Sequence, residues 1–187
     1  DRVAEMVTTT EVMTGDMGPP DPDGPSIEAH LDPEAMKKTA SMSRALEVIG
    51  LALQEIEGTK SLIFIGFGLG RMSAGPQVTV GDQYRRSMEA LTAARASVFA
   101  IDITDADWHS LELGMRIVSE DTGGFYMKTN VFPETTMRML TQVISSYYEL
   151  SIIPPPDLDD SFSIKIKVDR PGTEVYVRQW HPSSYRW

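Results

Sequence analysis

The chain has 187 residues, about the length of one domain and enough to bury a core. Its 27 acidic residues against 17 Lys and Arg leave a formal charge of −10, which argues against a nucleic-acid partner because phosphate contacts need a cationic face. There is no cysteine, which removes disulfides, thiolate metal sites and cysteine nucleophiles together, and 41% apolar content argues for a packed globule.

The first 36 residues hold nine acids and one base, Arg2. Val3 to Met13 is rich in β-branched residues with imperfect alternation, which predicts at best an edge strand or hairpin. Gly15 to Pro25 (GDMGPPDPDGP) has four prolines and three glycines, so it reads as a solvated connector. Asp32-Pro33-Glu34 has the make-up of a helix start. From there Met42, Leu46, Ile49, Leu53 and Ile56 predict one helical face running to Gly58. Ser61 to Gly66 (SLIFIG) is apolar without alternation, as expected of a parallel strand buried on both faces.

Gly66 to Pro76 is a glycine-rich loop, followed by a helix bearing Tyr84, Met88, Leu91 and Arg95, with Asp82 as its cap. Ser97 to Ile103 is a second buried strand, and Asp105 or Asp107 is expected to cap a helix carrying Trp108, Leu111, Met115 and Val118. A Thr122-Gly123-Gly124 turn leads to a short strand, Phe125 to Lys128. Pro133 opens a helix with the face Met137, Leu140, Ile144 and Tyr147. Such alternation predicts an α/β fold with a doubly wound, mostly parallel sheet.

Beyond it the period changes to two. Tyr148 to Ile153, Phe162 to Val168 and Val175 to Val177 predict a C-terminal antiparallel β-meander turning at Arg170-Pro171-Gly172. The expected organisation is an acidic edge strand and loop over 1–31, an α/β unit over 32–146, the meander over 147–178 and an aromatic tail over 179–187. That tail, with Trp180, Tyr185 and Trp187, reads equally well as a sticky end or an interaction segment.

The ordered set Gly58-Thr59-Lys60-Ser61-Leu62-Ile63-Phe64, Phe99-Ala100-Ile101-Asp102, Thr122-Gly123-Gly124 with Asn130, Tyr147-Tyr148 and Arg170-Pro171-Gly172 resembles the von Willebrand factor A-like proteins abundant in acidobacteria. The likeness covers roughly Asp32 to Arg178. It implies a Rossmann-like sheet, protein binding as the activity, and an extracytoplasmic location, periplasmic or secreted. That family's metal site uses an Asp-x-Ser-x-Ser loop after the first strand and an Asp after the fourth. This sequence has no Asp-x-Ser-x-Ser, and Gly66-Phe67-Gly68 stands at the fourth-strand end, so no metal of that kind is expected and the resemblance implies a non-catalytic interaction or scaffold module; the alternative is a divalent-cation-dependent adhesion domain whose ligating motif lies upstream of this chain. The first, central strand of such a sheet is also missing. The chain is therefore expected not to be a self-sufficient monomer, with the strand coming from a protein partner or from preceding polypeptide; the start at Asp1 suits a processed or truncated sequence.

Chemistry is sparse. Gly66, Gly68 and Gly70 invite a dinucleotide loop, but Arg71 replaces the third glycine of that motif and Met72 to Pro76 blocks an immediate helix. No cofactor is expected. Asp102, Asp105 and Asp107 follow a strand, where a cation site is conceivable, but capping and backbone satisfaction explain them more simply. His30, His109 and His181 have no ligand spacing, and no Gly-x-Ser-x-Gly elbow accompanies them. The sequence thus predicts no catalytic residue. It predicts an interaction surface at the carboxyl edge of the sheet: Phe67, Leu69, Arg71, Asp102, Asp105 and Trp108.

Overall fold

A computed structural model describes residues 11–14, 24–72, 78–79, 81–105, 107, 109–129, 133–149 and 166–178. In chain order the elements are β1 (Glu11–Thr14), a 3-10 turn (Ile27–His30), α1 (Pro33–Lys37), α2 (Met42–Gln54), β2 (Lys60–Gly66), β3 (Arg71–Met72), β4 (Val78–Thr79), α3 (Gly81–Ala93), β5 (Ala96–Asp102), α4 (Glu112–Thr122), β6 (Tyr126–Lys128), α5 (Pro133–Ser145) and β7 (Ser146–Glu149). The fold is mixed α/β around a three-stranded parallel sheet of order β2–β5–β6.

The two apolar strands are parallel neighbours, in register from Lys60↔Ala96 to Gly66↔Asp102. Each parallel step is bridged by a helix, α3 between β2 and β5 and α4 between β5 and β6, because parallel neighbours need a crossover. On β5 the small residues Ala96, Val98 and Ala100 face a core shared with Leu46 of α2, Met88 and Leu91 of α3, and Met115 and Val118 of α4. Phe99 and Ile101 face the other way, onto Phe125, Leu140 and the partly buried Met139, Val143 and Ile144 of α5. Phe99 and Phe125 meet edge to face at 5.2 Å, and Tyr176 from the C-terminal segment joins them.

Several local expectations change. The single helix over 32–58 is two. Asp32 accepts from Glu34 N to start α1, and Ser41 accepts from Arg44 N to start α2, so an internal cap divides the run. β2 is not buried on both faces: Leu62 and Phe64 pack against the helices, whereas Ile63 and Ile65 are 41% and 56% exposed. The reason is coverage, since α5 packs over β5 and β6 and stops short of β2. On α5 the buried face is Thr136 and Leu140, and Met137 is exposed.

β1 pairs antiparallel with β7, Val12↔Tyr148 and Met13↔Tyr147, so the described end of the edge strand read in Val3 to Met13 takes Tyr147-Tyr148 as its partner, and residues 3–10 lie outside the described residues. The meander strands over 150–165, the connector over 15–23 and the aromatic tail lie outside the described residues. Residues 166–178 turn at Arg170 to Gly172 without strand. Arg178 donates to Ala96 O at 2.9 Å and Thr92 O at 3.3 Å, fixing that segment beneath the start of β5. No helix among the described residues is long and apolar enough to cross a membrane.

Candidate functional site at the carboxyl edge

The carboxyl ends of β2 and β5 finish level, because Gly66 and Asp102 are register partners and Ile103 N donates to Gly66 O. Two loops leave this edge and are clasped together. Leu69 N donates to Leu111 O at 3.1 Å, and Leu69 is buried. Gly68 has φ +144°, and a Cβ there would stand 2.4 Å from Leu111 Cβ, so only glycine lets the first loop close on the second. At Gly114 a Cβ would come within 1.9 Å of Leu69 O, which brings α4 against the loop backbone.

Asp102 organises the second loop. Its side chain is fully buried and its Oδ1 accepts from Thr104 N at 2.9 Å and from Thr104 Oγ1. Oδ2 lies 2.7 Å from His109 Nε2 and accepts from Tyr126 OH at 2.9 Å. Burial pushes the carboxyl up, but the bonds from Thr104, His109 and Tyr126 outweigh it and hold the group at about 2. The same burial and the Asp102 charge drive the Tyr126 phenol upward. A buried anion is tolerable when each oxygen is bonded, and here both are.

Charge continues outward from this pair. Arg116 donates to Glu112 Oε1 at 2.8 Å and lies over the Tyr126 ring at 5.2 Å. Lys128, the register partner of Asp102, brings Nζ to 3.7 Å from Glu112 Oε2. Three potential ligand atoms, one each from Asp102, His109 and Glu112, lie within 4.8 Å of one another.

The expected surface residues divide. Phe67 is 66% exposed and Asp105 is exposed, whereas Leu69 and Asp102 are buried and support the edge from behind. The backbone of Arg71 belongs to the β3–β4 pair, Arg71↔Thr79. Trp108 lies outside the described residues. Neither Asp105 nor Asp107 caps α4: the helix starts later, at Glu112, and its N-cap Leu111 makes no side-chain cap bond. His109, expected on a helix away from any ligand, instead lies in the loop before α4 and meets Asp102. His109, Glu112, Tyr126 and Lys128 went unread as a group; the one sequence signal was a carboxylate at the end of a buried strand.

No family model, no curated protein and no solved structure matches the chain.

Proposed function

We propose that this chain is a non-catalytic protein-interaction module of von Willebrand factor A-like architecture, a scaffold subunit that takes a partner protein along β2 and the loop after it. The observation that carries this reading is the state of β2. It is the outer strand of the parallel sheet, and among the described residues no strand pairs with its free side. Its face opposite the helices presents Ile63 and Ile65, continued by Phe67. From Ser61 to Gly66 it has no charge and no proline, the devices by which edge strands refuse partners.

A partner that adds an extended apolar strand beside β2 fills the backbone edge and covers both isoleucines in one step. Covering a half-exposed isoleucine contributes about 1 kcal/mol, so the pair and Phe67 make a worthwhile anchor. The order β2–β5–β6, rising in chain sequence with helical crossovers, suits the trailing half of a doubly wound sheet whose next strand would lie beside β2. In this reading the Asp102 network serves loop geometry: its oxygens are engaged by Thr104, His109 and Tyr126. On the family resemblance we also propose an extracytoplasmic location.

Residue-resolved hydrogen exchange tests the edge. In the dilute chain, β2 amides that point away from β5 are expected to exchange much faster than those of β5, and to slow when a strand is added. Protection of every β2 amide at the level of β5 in the dilute chain means that the edge is already covered, and contradicts the proposal.

A further inference from the structure

The free side of β2 carries an inference that rests on the interaction edge proposed above and names its occupant. We infer that this edge pairs with the same edge of a second copy of the chain, antiparallel and centred on Ile63, so that two parallel sheets join into one.

The direction in which each β2 residue offers its hydrogen bonds follows from the register with β5. Lys60 N donates to Arg95 O at one end of the strand, and Gly66 O accepts from Ile103 N at the other. Backbone groups of successive strand residues point to alternate sides, so Lys60, Leu62, Phe64 and Gly66 face β5. Ser61, Ile63 and Ile65 face outward, and among the described residues no strand meets them. The same three residues carry the exposed side chains of β2.

Residues 61, 63 and 65 are symmetric about Ile63. A two-fold contact needs that symmetry, because each copy must present a surface complementary to itself. Antiparallel pairing sets Ile63 opposite Ile63 of the second copy and Ser61 opposite Ile65 in both directions. Each such pair exchanges two bonds, so every outward N–H and C=O from Ser61 to Ile65 is satisfied. Sliding the second copy by two residues sets Ser61 opposite Phe67, or Ile65 opposite Thr59, beyond the ends of the strand. An antiparallel neighbour on the edge of a parallel sheet is a common arrangement.

Charge favours a second copy on this surface. Two chains of formal charge −10 repel, and they can meet face to face only where neither carries charge. Ser61 to Gly66 is such a stretch. The one charged residue of β2, Lys60, falls opposite Gly66, so the two lysines stand at opposite ends of the ladder. At its centre the two Ile63 side chains lie side by side, a β-branched pair of the kind that stabilises neighbouring strands.

Cysteine cross-linking of the full chain tests the pairing, because the chain has no cysteine of its own. Hydrogen-bonded antiparallel residues have Cα atoms about 5.5 Å apart, within the span of a disulfide. Ile63→Cys is therefore expected to give a linked dimer on mild oxidation. A paired thiol meets its counterpart at high effective concentration, so the linking should be at least ~10-fold faster than in Phe67→Cys, which reports random collision at an exposed site. Ser61→Cys and Ile65→Cys should link to each other in a mixture and not when each is alone, since like positions lie about 13 Å apart. Ile63→Cys linking no faster than Phe67→Cys overturns the second copy as occupant, and Ser61→Cys linking equally well alone overturns the register. Hydrogen exchange in the dilute chain separates this failure from failure of the edge itself. If linking fails while the Ser61, Ile63 and Ile65 amides exchange fast, the edge is open and a different protein takes it. If those amides are as protected as β5, both readings fall.

Discussion

A Cβ at Gly124 would stand 2.0 Å from Val98 O, a backbone atom that cannot swing aside. Gly124→Ala therefore has to push the start of β6 off β5, and a loss of about 1–3 kcal/mol in urea unfolding is expected. Its neighbour Thr122 takes a different load: Oγ1 accepts from Val98 N at 2.8 Å inside the core while donating to Val118 O. Thr122→Val keeps the shape and strands the Val98 N–H, so a similar loss, about 1–3 kcal/mol, is expected from the same measurement. The sequence presents Thr122-Gly123-Gly124 as a turn, and a turn it is, with Gly123 left-handed at φ +80°. What it cannot present is that the threonine is a ladder partner and the second glycine a contact point, because both roles depend on a strand 24 residues earlier. The Asp102 cluster was hidden for the same reason: Asp102 and His109 are seven residues apart across an irregular loop, and no helical or strand period places them together.

Among the elements, α2 and α3 are tied by a polar link as well as by their apolar faces. Glu47 pairs with Arg44 at 2.5 Å on α2 and accepts from Gln83 on α3. Burial pushes the Glu47 carboxyl up, but Arg44 and Gln83 outweigh it and the group ends below its ordinary value. A carboxyl lowered on folding contributes stability above its unfolded value of about 4.3, and that contribution is lost as pH falls through the folded value. Thermal unfolding of wild type and Glu47→Gln should therefore differ at neutral pH, with the variant lower, and the gap should close as pH falls through the folded value. A gap that persists unchanged at acid pH would assign Glu47 to packing alone. At this scale the sequence was most legible for β5 and β6, whose boundaries agree with the structure to within one residue, whereas α3 begins at Gly81 and takes Asp82, expected as its cap, into its first turn. It was least legible for β2. An unalternating apolar run specifies that both faces are apolar, not that both are covered, and coverage is decided by where α5 comes to rest.

Among the described residues, the parallel sheet has one fully packed strand, β5, and an outer strand, β2, with one packed face and one open face. The antiparallel pairing of β1 with β7 places Tyr147-Tyr148 in a separate two-stranded sheet, a long-range contact that no local pattern announces. A half-covered edge strand without charge from Ser61 to Gly66 is poised to pair, and in the absence of another protein a second copy of the chain is the available partner. Ile63 and Ile65 are exposed, so replacing both by lysine removes little internal packing; stability should stay within about 0.5 kcal/mol of wild type while the edge becomes hostile to pairing. Sedimentation velocity of the 187-residue chain over a range of concentrations, beside Ile63→Lys/Ile65→Lys, is the most direct test. Concentration-dependent association of the wild-type chain is expected, with a monomeric double variant whose unfolding midpoint is unchanged. A wild-type chain that stays a compact monomer at every concentration and unfolds in one sharp transition would contradict it.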